Sequence, residues 1–489
     1  MSSSPPAFDA KEVQVGSAIR SALVWNIATM AFAQIALAGI FLLLAARLDP
    51  LTFGTFALAT VVTDVFYTLG SSSAVDAAVQ RQHYSRRSLS TITWAMLALC
   101  SLATLAFSLI AGLYAAAVRT PQVATILDVL SLTMMLLPFV VGPMAVMRQR
   151  LDFKGLAVLG MISSFVGSLA ALLIAYSPLL EWSLVIQRFV TTLSMIVLAT
   201  LRTRYVPAFS FNLSEARAWF SAAWRIFAGQ GIASATPRVV DLMMGFFFGA
   251  VALGYLRIAA RLADLALNSL INPIGQLWVV LLSKAKDSTE ERRKIFLQLS
   301  GLTALIALPG FAGLALISPE LFSLILPAEY APASGMLTVL CFLMIFAPIT
   351  NSRNSILTAL QKFNLLVWFS VLDLVATVVG MLVMCAFGAP AMLIGSALAS
   401  ILLIAFALPV ILRSMDAGLG EYGGTLAPPY FAVGVMCAVL IAMQPVLADM
   451  TPQMSLLIKV TTGAVVYLGV LGLLFRATVR NAVGAMAAR

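Results

Sequence analysis

A single apolar stretch of the chain carries the residues best suited to recognising a charged solute. Gly254, Arg257, Arg261, Asp264, Asn268, Asn272 and Gly275 recur at spacings of three and four, which places them on one face of an α-helix. The run around them is long and apolar enough to cross a bilayer. An ionisable group at the bilayer centre costs roughly 2.5–3.5 kcal/mol even on the milder insertion scales. A stripe of two arginines, an aspartate and two asparagines therefore points to a water-filled or protein-lined cavity rather than to lipid. The plainer alternative is a structural Arg261–Asp264 ion pair buried between helices.

Fainter polar sets lie on neighbouring stretches. Thr60, Asp64, Tyr67 and Ser71 form a second stripe, and Asn26 and Gln34 stand two turns apart. Arg225, Arg238 and Asp241 share a stretch with Pro237, an expected kink. Arg238 and Asp241 have the spacing to pair with each other. Asp64 and Asp264 both fall about ten to twelve residues from one helix end, or roughly 15–18 Å, near the midplane. Arg188, Arg353 and Lys459 lie within a few turns of an expected end and read as snorkelling side chains. Asp373 has no partner in the sequence.

The elements that must position these residues are membrane helices. Of 489 residues, 61% are hydrophobic and 10% charged, against roughly 25% charged in soluble domains. Apolar runs separated by Pro, Gly and charge clusters predict about fourteen transmembrane helices, near 21–46, 53–79, 89–117, 124–147, 155–176, 182–201, 219–248, 252–282, 295–318, 332–360, 364–387, 390–412, 427–447 and 453–475. The fold class is an all-α polytopic membrane protein. Residues 1–18 read as a disordered cytoplasmic tail and 477–489 as another. Asn212 and Glu215 have capping-box spacing, predicting an amphipathic cytoplasmic helix from Leu213 to Phe220 within a connector over 203–218.

Loop charge supports this map. One side collects Lys11, Arg20, Arg81, Arg86, Arg87, Arg148, Arg150, Lys154, Arg202, Arg204 and Arg217 from the first half, then the Lys284–Lys294 cluster, Lys362, Arg413 and the C-terminal arginines. The other side holds Arg47 and Arg119. Lys and Arg mark cytoplasmic loops, so both termini are expected in the cytoplasm. The net charge of +10 is spread over short loops, which excludes a nucleic-acid partner. Cys100, Cys341, Cys385 and Cys437 stand singly in apolar runs and have no metal spacing. The outward loops are short, and there is no nucleotide loop, metal cluster or nucleophile constellation. The chain is therefore expected not to be an enzyme, and no cofactor is expected beyond a coupling proton or sodium ion.

An internal repeat organises the helices. Gly54-Thr-Phe-Ala-Leu58-Ala59, followed by Asp64, lies over Gly254-Tyr-Leu-Arg-Ile258-Ala259, followed by Asp264, at a constant offset of 200. Gln149-Arg150 and Gln361-Lys362 give a looser echo. The second helix is thus laid on the eighth and the fourth on the tenth, which predicts two parallel six-helix lobes, 19–202 and 219–413, with two extra helices over 427–476. Repeats of this kind place substrate at their interface, near the midplane.

Several segments resemble bacterial polysaccharide-transport flippases, the Wzx-like members of the multidrug/oligosaccharidyl-lipid/polysaccharide exporter superfamily. They are Leu48-Asp-Pro50 with Phe53-Gly54 and Ala57-Leu-Ala59; Ala77-Ala-Val-Gln80-Arg81; Leu253-Gly-Tyr255 with Arg257 and Ala260-Arg261-Leu262; and Leu326 to Tyr330 before Ala331-Pro332. The likeness runs over most of residues 18–415. It implies two lobes around a V-shaped cavity in a bacterial inner membrane. It also implies transport of undecaprenyl-diphosphate-linked oligosaccharide, as an exopolysaccharide, capsule or O-antigen repeat unit, with membrane lipids and polysaccharide polymerase and export machinery as partners.

Arginine suits such a substrate, since its charge is permanent and its fork binds phosphate in two places. Arg257 and Arg261 are the first candidates for the diphosphate, then Arg225 and Arg238. Asn26, Gln34, Asn268 and Asn272 are candidates for the sugar. Asp64, Asp264 and Asp241 either hold the arginines or bind a coupling ion. The competing readings are a lipid II flippase and a small-molecule or drug cation antiporter of the same superfamily. The topology is testable in a chain lacking its four cysteines. New cysteines at Ala117 and Ala389 should react with an impermeant thiol reagent in intact spheroplasts, and ones at Ser85 and Ser288 should not. Labelling at Ser288 from outside would overturn the map.

Overall fold

The computed structural model describes residues 36–80, 85–271, 274–275, 278, 281–282, 285, 288–360 and 362–475. Among these every regular element is helical. In chain order they are α1 (Ala36–Ala45), α2 (Pro50–Asp64), a π-helical turn (Val65–Gly70), α3 (Ser71–Gln80), α4 (Arg86–Ala117), α5 (Gln122–Met134), α6 (Leu137–Gln149), α7 (Phe153–Ile174) and α8 (Ser183–Thr203). Then follow α9 (Leu213–Leu270), α10 (Thr289–Ile325), α11 (Ala331–Met344), α12 (Ala347–Ala359), α13 (Phe363–Met384), α14 (Ala389–Met415), α15 (Leu419–Ala442) and α16 (Pro452–Leu474).

Eleven helices among the described residues are long and apolar enough to cross a membrane. Their outward faces carry bare leucine and phenylalanine, such as Leu109 at 74% and Phe406 at 75% exposed. Such a surface is stable only against hydrocarbon. The chain is a polytopic membrane protein. Fourteen helices were expected, and the difference has three local sources. Most of the first segment lies outside the described residues. The seventh and eighth form one helical stretch, α9, interrupted at Gly249 (φ 80°, ψ −179°), a conformation open in practice to glycine alone. The tenth is split into α11 and α12.

That split has a counterpart. α5 stops at Met134 and α11 at Met344, each four residues before a proline, Pro138 and Pro348. A proline ring displaces the carbonyl four residues back and offers no N–H, so an uninterrupted helix is lost there. These are the two segments that the Gln149-Arg150 and Gln361-Lys362 echo pairs. The connector expectation is corrected in one respect. Asn212 does cap a helix, accepting from the Ser214 and Glu215 amides at 3.0 and 3.4 Å. That helix, however, runs unbroken from Leu213 into the next segment rather than forming a separate amphipathic piece.

The repeat is a physical contact. A Cβ on Gly54 would stand 1.6 Å from the Ala250 carbonyl oxygen, and one on Gly254 would stand 2.0 Å from that of Pro50. Gly254 follows Gly54 by the repeat offset, as Ala250 follows Pro50, so the contact is the same when the halves are exchanged. Beside it the buried Tyr330 hydroxyl donates to the Leu48 carbonyl at 2.7 Å. The Tyr330 ring meets Phe53 and Tyr255 edge-on, with centroids 6.4 Å away in each case. Asp49 caps α2 by accepting from the Thr52 amide, and Pro50 starts the helix where a missing N–H costs nothing.

At the far end of the chain, α15 and α16 pack on α10. Lys459 is buried and pairs with Glu320. It also donates to the Leu316 carbonyl at 3.1 Å, and the Ser455 hydroxyl reaches Glu320 at 3.0 Å. Lys459 therefore does not snorkel. Neither does Arg353, which is buried over the Phe369 ring at 5.5 Å. Asp373 hydrogen-bonds Ser400 at 3.5 Å.

The crossing of α2 with the second part of α9 predicts sharp intolerance of any Cβ. Gly54→Ala and Gly254→Ala should each cost about 1–3 kcal/mol, as overpacked sites do. The thermal midpoint of the detergent-solubilised protein should fall accordingly. Gly469→Ala, with nothing within 4 Å of the added carbon, should leave it unchanged.

Candidate substrate site

Asp64 closes α2, and the π-helical turn that follows shifts the register so that Tyr67 lies beside it. The two carboxylate oxygens are divided between two helices. Oδ1 lies 2.5 Å from Arg188 Nη1 on α8, and Oδ2 lies 3.0 Å from Arg238 Nη1 on α9. The Arg188 guanidinium also stacks on the Tyr67 ring, 3.9 Å from its centroid. The Tyr67 hydroxyl in turn hydrogen-bonds Thr192, one turn along α8 from Arg188. Arg188 is thus fixed from two sides, by a carboxylate and by an aromatic face.

A second pair joins the two parts of α9. Asp241, buried, lies 2.8 Å from Arg257 Nη2. Among the described residues the Nε of Arg257, which is buried, has no hydrogen-bond partner. Arg238 and Asp241 therefore do not pair with each other, as their spacing had allowed. The break at Gly249 folds α9 back on itself and gives Asp241 a nearer cation. No ion pair joins Arg261 to Asp264 either. Arg261 lies over the Phe41 ring, 5.7 Å from its centroid, and Asp264 is exposed. Asn268 is exposed further along the same stripe.

The other sequence candidates are distributed less compactly. Arg225 is exposed, on the order of 20 Å along α9 from Arg238 at 1.5 Å per residue, and is not brought to the group. Asn26, Gln34 and Asn272 lie outside the described residues. Arg188 is the residue that sequence reasoning assigned otherwise, as a snorkelling side chain. It is held inward, with its side chain 17% exposed, by partners more than a hundred residues away. Among the described residues no group of His, Cys, Asp and Glu has the geometry of a metal site. What is assembled is a half-buried set of guanidinium groups, some neutralised by carboxylates and one not.

The sequence profile of a family described as polysaccharide biosynthesis protein matches residues 43–335. The chain belongs to that family. The match takes in the α2–α9 crossing, the arginines of both charge groups and Tyr330. Succinoglycan biosynthesis transport protein ExoT of Rhizobium meliloti is 22% identical over 338 residues, 68% of either chain. Lipopolysaccharide biosynthesis protein WzxC of Escherichia coli is 23% identical over 335 residues, 67% of either chain.

Among solved structures, the lipid II flippase MurJ in an inward closed conformation superposes with a TM-score of 0.77 at 13% identity, covering 94% of this chain and 100% of the other. An inward-facing multidrug transporter of the MATE family and MOP superfamily superposes with a TM-score of 0.58 at 14% identity, over 78% of this chain and 96% of the other. At these identities the likeness is one of fold. The family and its relatives place the chain among the membrane transporters of polysaccharide biosynthesis and not among enzymes.

The repeat pairs Asp64 with Asp264, yet their surroundings predict different behaviour. Asp64→Asn leaves Arg188 and Arg238 without a counter-charge and should lower the thermal midpoint. Adding Arg238→Gln should recover part of the loss, with a coupling of about 0.5–3 kcal/mol. Asp264→Asn should not change the midpoint. Equal effects of the two aspartates would contradict the geometry.

Proposed function

We propose that this protein is a flippase that carries an undecaprenyl-diphosphate-linked oligosaccharide across the bacterial inner membrane by alternating access. In this reading the chain forms fourteen membrane helices in two six-helix lobes, with α15 and α16 outside them and both termini in the cytoplasm. The observation that carries it is the surplus of guanidinium charge in the family-matched region. Arg188, Arg238 and Arg257 are held in ion pairs with Asp64 and Asp241, and among the described residues Arg261 is held in none. A diphosphate crossing the bilayer needs such a cation, and arginine delivers charge and a two-pronged fork together.

The substrate head group enters from the basic end, because the Gly54–Gly254 contact holds the opposite ends of the two halves together. Arg261 and Arg257 take the diphosphate, and Asn268 takes sugar hydroxyls along the same stripe. Asp264, exposed and close in sequence to both arginines, is the candidate for a coupling proton or sodium ion. Polysaccharide polymerase and export machinery are the partners that would take the product.

Arg261 tests this reading directly, since no ion pair among the described residues depends on it. Arg261→Gln should abolish surface polysaccharide while protein accumulates normally and lipid-linked oligosaccharide builds up in the cytoplasmic leaflet. Arg261→Lys should restore export only in part, because the charge returns without the fork. Export restored by Arg261→Gln with Asp264→Asn would show that the arginine serves the fold. Vesicles containing the purified protein that flip lipid II but not the lipid-linked oligosaccharide would reassign the substrate.

A further inference from the structure

Away from the charge groups, three helix ends meet at the Lys- and Arg-rich end and enclose a cavity of about 320 Å³. Its lining includes Arg86, Gln149, Arg150, Arg204 and Tyr205, and no carboxylate. Local backbone geometry builds it. α6 ends at Arg150, and the chain turns through Leu151 in the left-handed region (φ 54°) into α7. α8 ends at Arg204, also left-handed (φ 54°, ψ 26°), which throws Tyr205 back into the protein. The Tyr205 ring fits there because Gly142 lacks a Cβ, which would stand 2.4 Å from Cε1. Arg86, at the first turn of α4, closes the third side and donates to the Val206 carbonyl at 3.2 Å.

None of the three guanidinium groups is in an ion pair among the described residues, although the charge of Arg150 is felt at Asp152. The nearby carboxylate, Asp152, is taken by Arg202 at 2.6 Å, and that hydrogen bond holds its carboxyl below the usual carboxylate range. The side chains of Arg150 and Arg204 have no hydrogen-bond or ion-pair partner among the described residues. Three convergent arginines around a cavity of this size match the oxygens of a phosphate group. The rim shows where such a group comes from. Leu151, Leu201 and Val206, each one or a few residues from a lining arginine, are all exposed apolar side chains. Arginine above bare aliphatic surface at a membrane boundary is the arrangement that takes a charged lipid head group and its acyl chains together.

We propose that Arg86, Arg150 and Arg204 form a binding site for a phosphate group, carried there by an anionic phospholipid of the surrounding leaflet. The site is separate from the transport reading above and stands or falls without it. It is tested on the full chain purified in neutral detergent, by the retention of phosphatidylglycerol over phosphatidylcholine and by the thermal midpoint with each lipid.

Arg150→Gln with Arg204→Asn removes two charges. Both positions are exposed, and asparagine accepts the left-handed backbone at 204. Each basic group near an anionic lipid contributes on the order of a fivefold gain, so retention should fall about thirtyfold and the lipid-induced thermal shift should vanish. Arg217→Gln with Arg413→Gln, which removes two charges elsewhere at the same end, should change retention less than about twofold. Equal loss in both double variants, or no loss in the first, overturns the site. A thermal shift with millimolar inorganic phosphate and none with phosphatidylglycerol overturns the lipid assignment in favour of a soluble phosphate compound.

Discussion

At the crossing of α2 with the second part of α9, backbone lies against backbone, because Gly54 and Gly254 leave the space a Cβ would fill. Much else is arranged around that approach. The carbonyls of Ala250 and Pro50 point into the glycine faces, Tyr330 ties in the Leu48 carbonyl, and Phe53 and Tyr255 flank its ring. These are the residues whose pattern resembles the exporter superfamily. Their role in this chain is structural. It is the packing of α2 against the second part of α9.

From that fixed crossing, α2 and α9 run side by side, with Asp64 and Asp264 at equivalent positions of the repeat. The two halves then part company chemically. Asp64 is saturated by Arg188 and Arg238, whereas Asp264 is in no ion pair among the described residues. Ion pairs within a low-dielectric region contribute little net stability, but removing one member is costly. The paired charges thus fix the relative positions of α2, α8 and α9. Arg261, over a phenylalanine ring, is in no ion pair among the described residues.

The sequence showed the repeat, the polar stripe and the helical membrane class, because each is written in periodicity, in glycine spacing or in the scarcity of charge. It misled wherever a partner lay far along the chain. Arg238 and Asp241 stand three residues apart and still bind elsewhere, since Gly249 folds Arg257 back onto Asp241. Arg188 and Lys459 looked like snorkelling residues because distance from a helix end was the only available clue. Nothing local to either position discloses Asp64 or Glu320. The breaks at Pro138 and Pro348 were, by contrast, legible in principle from two prolines in mid-segment. The apolar run that continues through both hides them.

The buried pair between Lys459 and Glu320 bears on how a chain of this size can change in length over evolutionary time. α15 and α16 are anchored to α10 through a charge on each side, with Ser455 and the Leu316 carbonyl completing the set. A gene truncated after Met415 would leave Glu320 without its cation, and one that lost only Glu320 would leave Lys459 buried without its carboxylate. Shorter descendants of this chain must therefore pass through a compensating change on α10 before the last helices are dispensable. Their retention is then explained by electrostatics within the fold, whether or not those helices ever touch cargo.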